Sequence, residues 1–305
     1  KDKYGDERRS IIEYSGGDVS IEDLIADENV VITISHAGYI KRTPLTEYKT
    51  QNRGGVGQKS AGTRDQDFLE SMYVATNHQY MMFFTQKGKC FWLRVYEIPE
   101  GSKTAKGRAL QNLINIESDD KVKAFICTQD LKDKDYTTSH NLIMVTKNGM
   151  VKKTSLDKYS KPRVNGVAAI TIKDNDELLS AELTDGNSQI ILAVKSGKLV
   201  RFEESKTRPM GRTASGVRGI RLKDETDEVI GMVSVNDMNS EILVVAENGY
   251  GKRSSLEDYR ITNRGGKGVK TLNITEKTGK LISINAVTDA DDLMIINKSG
   301  LTIRM

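Results

Sequence analysis

The sequence lacks the residues on which most catalytic and metal-binding sites depend. Among its 305 residues only two are cysteine and three are histidine, which excludes a disulfide framework and a cysteine–histidine zinc site. His36, His78 and His140 lie in separate stretches, and neither a helical zinc-protease motif nor a nucleophile elbow occurs. We therefore expect no catalytic residue, no metal site and no cofactor.

Proline and long apolar runs are equally scarce. Four prolines exclude a proline-rich linker, and no run of about 18 apolar residues is present to span a membrane. The first nine residues are charged and contain no secretory signal. A composition of 37% hydrophobic and 29% charged residues is typical of a folded protein, so we expect a cytoplasmic protein with no membrane partner.

The chain does contain one repeated pattern, which occurs six times at intervals of roughly 50 residues. Each copy has a short apolar run and then a polar turn that ends in glycine. Turns such as Asn148-Gly149 and Ser196-Gly197 are typical of two-residue β-hairpins, where glycine supplies a positive φ angle. The apolar runs occupy residues 30–34, 80–84, 142–145, 190–194, 242–245 and 293–296, and their turn glycines are Gly38, Gly88, Gly149, Gly197, Gly249 and Gly300.

A long connection follows each hairpin and ends at a second glycine. Gly57, Gly107, Gly166, Gly216 and Gly268 mark this point, and an apolar stretch typical of another strand begins after most of them. Leucine and tyrosine recur inside the connection, as Leu156 with Tyr159 and Leu256 with Tyr259. We interpret these pairs, together with Leu45 and Tyr48 and with Val95 and Ile98, as anchors that fix the connection to the core.

The repeat predicts an all-β domain over residues 1–305 with about four antiparallel strands in each unit. Sheets of this size bury too little surface alone, so six of them predict a radial, propeller-like disc. The approximate units are 24–76, 77–128, 139–187, 188–237, 239–289 and 291–305. Because the sixth unit is incomplete, either residues 8–14 supply a strand that closes the ring or the last blade is truncated.

Basic residues recur at fixed positions of the repeat. Lysine or arginine stands four residues after most hairpin glycines, whereas acidic clusters tend to lie in turns such as 174–177 and 224–227. A repeat position becomes a ring position in a radial array, and lysine and arginine with few aromatics suit duplex phosphates. We therefore predict a basic DNA-binding rim formed by Lys41, Arg42, Lys89, Arg94, Lys103, Lys106, Arg108, Lys152, Lys153, Lys198, Arg201, Arg212, Arg218, Lys252, Arg253, Arg264 and Lys267.

A glycine-rich heptapeptide ends the long connection of the first unit and consists of Gln51, Asn52, Arg53, Gly54, Gly55, Val56 and Gly57. Together with residues 35–45, it closely resembles the C-terminal domain of the bacterial DNA gyrase A protein. The heptapeptide is similar to the signature box of that family, Gln-Arg-Arg-Gly-Gly-Lys-Gly. Residues 215–220 and 248–253 also resemble the blade motifs of the family, so that the resemblance covers essentially the whole chain.

The resemblance implies a six-bladed β-pinwheel whose neighbouring blades share strands. It further implies a rim that binds and wraps double-stranded DNA, with the box in contact with DNA, so that an ATP-dependent type II topoisomerase introduces negative supercoils. The partners would be the rest of the gyrase A protein and the gyrase B protein in an A2B2 heterotetramer, with the catalytic tyrosine and the ATPase outside this chain. Asn52 and Val56 replace an arginine and a lysine of the family box, which leaves Arg53 as its one charge.

Two other functions are compatible with the same residues. The related C-terminal domain of topoisomerase IV has fewer or degenerate boxes and does not supercoil DNA. A propeller-like scaffold for protein interactions would bind no DNA at moderate salt. A chain whose long connections are merely solvated and rich in lysine would account for single charges, but poorly for their repetition.

Overall fold

Short antiparallel strands form almost all regular structure in the computed structural model, which describes residues 21–48, 67–129, 131–291, 294–296 and 302–304. The all-β prediction is confirmed. The one described α-helix is α1 (Lys134–Ser139), which Asp133 caps by accepting hydrogen bonds from the backbone of Asp135 and Tyr136. Short 3-10 turns occupy Ile21–Leu24, Leu45–Glu47, Val95–Glu97, Leu110–Asn112, Leu156–Tyr159, Glu204–Lys206 and Leu256–Asp258.

The described strands form five sheets, here called blades 1 to 5, and one two-stranded ribbon. Blade 1 contains β1 (Asn29–Ser35), β2 (Tyr39–Pro44), β3 (Leu69–Thr76) and β6 (Arg108–Ala109). Blade 2 contains β4 (Tyr80–Thr85), β5 (Lys89–Arg94), β7 (Val122–Thr128) and β10 (Val167–Ala168). Blade 3 contains β8 (Asn141–Thr146), β9 (Met150–Ser155), β11 (Leu178–Thr184) and β14 (Val217–Arg218).

The remaining sheets follow the same order. Blade 4 contains β12 (Gln189–Val194), β13 (Lys198–Glu203), β15 (Val229–Val235) and β18 (Val269–Lys270). Blade 5 has three described strands, β16 (Glu241–Ala246), β17 (Gly251–Ser255) and β19 (Leu281–Val287). The apolar run at 293–296 contributes β20 (Met294–Ile296), which pairs only with β21 (Thr302–Arg304), so the sixth predicted unit is a ribbon within the described residues.

Each four-stranded blade borrows its outermost strand from the next repeat unit. Strands β6, β10, β14 and β18 come from the following unit and pair with β2, β5, β9 and β13. A glycine precedes each borrowed strand because the chain there approaches the neighbouring backbone closely. A Cβ atom on Gly216 would lie 2.6 Å from the carbonyl oxygen of Val151, and one on Gly268 would lie 2.5 Å from that of Leu199. The sequence pattern therefore marks strand exchange, not a fourth strand within the same unit.

At the opposite edge of the blades, the strands β7, β11, β15 and β19 lie against one another in succession. Apolar side chains from consecutive blades fill the spaces between the sheets. One such cluster joins Met82 and Phe84 of blade 2 to Leu142 and Met144 of blade 3. The borrowed strands consequently form an outer edge, away from the packed inner strands.

The predicted anchors hold the long connections. Leu156, Tyr159, Leu256 and Tyr259 are buried, and Val95 and Ile98 are buried in the second unit, so these anchors are confirmed. In the first unit Leu45 is exposed, which makes that part of the prediction wrong. The fourth unit uses polar anchors instead, because Glu204 and Thr207 are buried at the corresponding positions.

Candidate nucleic-acid interface

The outer edge of the blades presents basic side chains to solvent. Arg108 in β6, Arg218 in β14 and Lys270 in β18 are exposed, each on a borrowed strand. Arg218 and Lys270 occupy the same repeat position, two residues after the glycine, where β6 and β10 have Ala109 and Ala168. Arg108 occupies the neighbouring position, directly after its glycine, so the borrowed strands place cations on the outer edge at two different repeat positions.

On blade 4 one of these cations lies directly opposite another lysine. Lys270 of β18 pairs in register with Lys198 of β13. Residues opposite each other on antiparallel strands have Cβ atoms about 5 Å apart, and like charges in such a pair destabilise the sheet. A bound anion would relieve this repulsion.

Two more cations extend this edge. Arg264 donates from Nη1 to the carbonyl oxygen of Arg218 at 3.3 Å and from Nε to that of Lys206 at 3.0 Å, which fixes its guanidinium beside β14. Lys267 is exposed and, with Arg201 and Arg260, lines a cavity of about 160 Å³. We call Lys198, Arg218, Arg264, Lys267 and Lys270 the cationic edge.

No member of the cationic edge forms an ion pair with a described residue. The charges are therefore not neutralised within the part of the chain that the structure covers. Exposed lysine and arginine without acidic partners are the groups that contact nucleic-acid phosphates.

Hydrogen bonds join the segment that follows the second glycine of one unit to the long connection of the next unit. Asn115 donates to the side chain of Asn165 at 2.9 Å, and the hydroxyl of Thr171 donates to the carbonyl oxygen of Thr213 at 2.6 Å. The backbone N–H of Gly265 donates to the carbonyl oxygen of Gly219 at 2.6 Å. These links place the cations on one continuous edge of consecutive units.

Three residues of the predicted basic rim are instead part of the seams between units. Arg42, Lys153 and Arg201 lie four residues after a hairpin glycine, and each carbonyl oxygen accepts a backbone hydrogen bond from the connection of the next unit. Arg201 is buried and donates from Nη1 to the carbonyl oxygens of Leu256 and Tyr259, at 2.5 and 2.8 Å. The repeated basic column therefore joins units, which corrects the expectation that it forms an exposed belt.

The other two seam side chains are similarly occupied. Lys153 is buried and lies 3.5 Å from the carboxylate of Glu204, which is itself buried. Arg42 pairs with Glu100 at 2.8 Å and donates to the carbonyl oxygen of Ile98 at 2.9 Å. In each case the basic group satisfies acceptors of the next unit's connection, so it is not available to an external ligand.

Lys41 and Lys152, one position earlier, are also buried. The ammonium of Lys41 donates to the carbonyl oxygens of Ser102 and Lys103, at 2.8 and 2.6 Å, and that of Lys152 to those of Ala169 and Arg212. Burial lowers the pKa of Lys41. Burial, with the nearby charge of Arg212, lowers the pKa of Lys152 to about 7. Neither lysine belongs to the exposed rim.

Arg94 is a further buried member of the predicted set. Its guanidinium pairs with Glu22 at 2.9 Å, donates to the carbonyl oxygen of His78 and lies 3.9 Å from the centre of the Tyr80 ring. These contacts hold the segment around Glu22 against blade 2. Arg94, like Lys152, is buried and bound to groups of the domain itself, so it does not belong to the exposed rim.

Cations at the hairpin turns are neutralised by the acidic turns. Lys147 pairs with Glu177 at 2.7 Å and lies 3.6 Å from Glu228, which pairs with Lys195 at 2.9 Å. Lys123 lies 3.7 Å from Glu177, so that alternating charges connect blades 2, 3 and 4. We call Lys123, Lys147 and Lys195 with Glu177 and Glu228 the hairpin-end network.

Two predicted rim residues form ion pairs with carboxylates, as the lysines of the hairpin-end network do. Lys89 pairs with Glu117 at 2.6 Å. Arg253 pairs with Glu241 and Asp289, and its hydrogen bond to Asp289 is the largest of the contributions that raise the pKa of Arg253. Both cations have their counter-charges within the domain.

The other predicted residues occupy different settings. Lys106 and Lys252 are exposed, Arg212 is half-buried, and the ammonium of Lys103 lies 4.6 Å from the centre of the Tyr48 ring. The box at residues 51–57 lies outside the described residues. Lys270 is absent from the predicted rim. It lies two residues after the second glycine Gly268, as Arg218 lies two residues after Gly216, and this shared spacing could have identified it.

Two further features, a cluster of metal ligands and a helix that could span a membrane, are absent from the described residues. No group of three or more His, Cys, Asp or Glu side chains there could hold a metal ion. None of the helices in the described part is long and apolar enough to cross a membrane.

The arrangement of the blades matches a known family. The family model described as the DNA gyrase C-terminal domain, beta-propeller, matches residues 29–76, 79–129, 140–185, 189–236 and 240–288. Each segment contains the three long strands of one of the five blades, and none covers the sixth predicted unit, so the six-bladed expectation is wrong.

Similar curated proteins include the DNA gyrase A proteins of Staphylococcus epidermidis and of Staphylococcus aureus. Each is 44% identical over 308 aligned residues, which cover 100% of this chain and 34% of the relative. The chain thus spans about a third of the length of these relatives.

Two solved structures are also similar, each with 27% identity. The C-terminal domain of a DNA topoisomerase IV gives a TM-score of 0.74 and covers 92% of this chain and 84% of that one. A DNA gyrase A C-terminal domain gives a TM-score of 0.71 and covers 91% of this chain and 89% of that one.

Proposed function

Since this chain belongs to the DNA gyrase C-terminal domain family, we propose that it binds duplex DNA and bends it around the outer edge of its blades. The observation that carries the proposal is the cationic edge. Lys198 faces Lys270 across two strands, and neither these lysines nor Arg218 has an acidic partner among the described residues. Duplex phosphates would supply the missing negative charge.

The hairpin-end network supports the location of the DNA. Its lysines resemble those of the cationic edge in type, but Glu177 and Glu228 already neutralise them. DNA that approached this end would have to break ion pairs and lie beside carboxylates. The outer edge offers the opposite conditions, so the duplex should follow it.

Bending makes many contacts necessary. Smooth bending of a 20–30 bp duplex by 40–90° costs on the order of 1–6 kcal/mol. Each phosphate neutralised by lysine or arginine steepens the fall of log affinity with log salt concentration by about 0.9. We therefore expect strong binding at low salt, a steep loss as salt rises, and no readout of base sequence from the edge cations.

The box at residues 51–57 is part of the proposed interface. Arg53 is its only charged residue, so its contacts would come mainly from Gln51, Asn52 and the glycine amides. Replacement of residues 51–57 by alanine should reduce supercoiling by the complete enzyme. Unchanged supercoiling would remove the box from the interface.

The wider role rests on the family. We propose that the domain belongs to the A protein of a cytoplasmic type II topoisomerase with A2B2 composition. The wrapped segment would be presented for strand passage, which produces negative supercoils. The catalytic tyrosine and the ATPase would reside in parts of the enzyme outside this chain.

Two measurements test the proposal together. Duplex binding should be measured by mobility shift at several salt concentrations, and closed circles relaxed in the presence of the chain should then be examined for a change in linking number. We expect steep salt dependence and a topological shift. A shallow slope, or circles with an unchanged linking number, would contradict wrapping.

A role in topoisomerase IV is the second candidate, because the C-terminal domain of that enzyme gives the TM-score of 0.74. The two candidates differ in the reaction of the reconstituted enzyme. Supercoiling of relaxed plasmid with ATP supports the gyrase assignment, whereas ATP-dependent relaxation without supercoiling supports topoisomerase IV.

A further inference from the structure

One apolar side chain in the described long connections is far more exposed than the others. Val164 is 86% exposed, the largest value among the exposed large hydrophobic residues of the described chain. It lies in the connection of the third unit, just before β10, the outermost strand of blade 2. The exposed residues around it include Lys161 and Arg163.

The backbone holds Val164 at the tip of a tight turn. The N–H of Gly166 donates to the carbonyl oxygen of Arg163 at 2.9 Å, which closes a turn with Val164 and Asn165 at its centre. Asn165 accepts a hydrogen bond from Asn115 of the preceding unit at 2.9 Å. The turn is therefore held through Asn165, one of its two central residues, while Val164, the other, is exposed.

The other connections present different residues at their turns. The corresponding turn of the second unit, which the N–H of Ala105 closes on Ser102, contains Lys103 and Thr104. That of the fourth unit, closed by Ala214 on Gly211, contains Arg212 and Thr213. Only the third of these units combines a fastened turn, an apolar tip and two flanking cations.

We propose that Val164 is an apolar wedge that inserts between base pairs of the bound duplex and kinks it. Architectural proteins insert apolar side chains at base-pair steps from the minor groove while basic residues neutralise the adjacent phosphates. Lys161 and Arg163 are placed close enough in the chain to do so beside Val164. This inference rests on the proposed DNA binding and adds a local kink to the smooth bend along the edge.

A wedge strengthens a sequence preference that smooth bending already creates, because bending alone also favours deformable steps. Pyrimidine–purine steps such as TA unstack easily, whereas A-tracts are stiff. The chain should therefore bind a duplex that carries TA steps at helical intervals more tightly than an A-tract duplex of equal length, by at least about threefold. Removal of the wedge should reduce this ratio to the part that bending alone produces, and it should leave the affinity for the A-tract within about twofold, because no charge is lost.

The test compares the full chain with Val164→Ser and with the control Val74→Ser, which alters an exposed valine on β3, at the edge of blade 1 opposite β6. Competition between the two duplexes gives the preference, and permanganate reactivity of thymines reports unstacking. We expect Val164→Ser to lose the permanganate signal and most of the preference, and Val74→Ser to retain both. Val164→Phe, which keeps an apolar tip, should retain them as well.

The outcomes separate this inference from the proposed function. If the wild-type chain binds both duplexes equally, or if Val164→Ser keeps the preference, the wedge is refuted and DNA binding stands. If the wild-type chain binds neither duplex at low salt, both proposals are overturned. An effect of Val164→Ser on supercoiling by the complete enzyme with unchanged unstacking would assign Val164 to a protein contact and refute the wedge.

Discussion

The outer edge of blade 4 and the hairpin ends of blades 2 to 4 contain the same kinds of cation in opposite situations. Lys198 and Lys270 face each other without an acidic partner among the described residues, whereas Lys147 and Lys195 lie within 2.7 and 2.9 Å of carboxylates. A count of basic residues does not distinguish these regions. The difference teaches that the position of the acidic turns, more than the position of the lysines, determines which cations are left for the proposed DNA interface.

Cations buried in the seams between units are a third case, and their substitution should have the largest effect on the free energy of unfolding. Arg201→Met would leave the carbonyl oxygens of Leu256 and Tyr259 without their donor. We expect a loss of about 2–4 kcal/mol in the free energy of unfolding, measured by urea denaturation. Lys198→Met on the same strand β13, at a half-exposed position, should change it by about 0.5 kcal/mol or less. Equal losses would contradict the structural role of the seam.

Removal of the edge charges should weaken DNA binding without affecting folding. For the triple variant Lys198→Gln, Arg218→Gln, Lys270→Gln we expect a roughly 10- to 100-fold increase in Kd for duplex DNA at moderate salt, which is about 1.4–2.7 kcal/mol. The urea midpoint should stay close to that of the wild type, because these side chains contact solvent. A variant that binds as tightly as the wild type would exclude the cationic edge from the interface.

Lys152 should give stability a specific pH dependence. Its pKa is about 7 in the folded chain and about 10.4 in the unfolded chain, so between these values the unfolded state binds more protons. The free energy of unfolding should then rise by up to about 1.4 kcal/mol per pH unit between these two values. Below pH 7 Lys152 should add no such slope, because both states are protonated there.

Urea denaturation from about pH 6 to about pH 10 measures this slope. Lys152→Met should lose it, whereas Lys134→Met, at an exposed position in α1, should retain the wild-type profile. Identical profiles for both variants would show that the buried ammonium does not titrate in this range.

The smallest effect is expected from the hairpin-end network. Partly exposed ion pairs such as Lys195–Glu228 contribute about 0–1 kcal/mol each. Lys147→Gln with Lys195→Gln should therefore cost about 1 kcal/mol or less in urea denaturation and change the Kd for duplex DNA by no more than about twofold. A loss of affinity as large as that of the edge variant would remove the distinction between the two regions.

Several structural features could be predicted from the sequence because they depend on local patterns. The hairpin glycines and the anchors Leu156 and Tyr159 follow from turn chemistry and from recurrence at a fixed spacing. Leu45 shows the limit of recurrence, since it occupies the same repeat position and is exposed. Glu204 is the opposite case: it lacks the apolar side chain that the repeat predicts, yet it is buried at the anchor position and pairs with Lys153.

The blade number and the buried basic column depended on contacts between units, which local patterns do not contain. Apolar runs identify hairpins, and the run at 293–296 forms only the ribbon of β20 and β21. Similarly, alternation along β13 places Arg201 on one face of its strand without showing that the next connection covers that face. Lys198 and Arg201 therefore look equivalent in sequence, and only the fold separates an edge cation from a seam cation.

The central claim is that cations without intramolecular partners bind the DNA, and two triple variants with the same loss of charge test it. Lys198→Gln, Arg218→Gln, Lys270→Gln removes three positive charges from the cationic edge, and Lys123→Gln, Lys147→Gln, Lys195→Gln removes three from the hairpin-end network. The slope of log Kd against log salt should fall by about 2–3 for the first variant and stay unchanged for the second. Equal changes in slope for the two variants would contradict the claim.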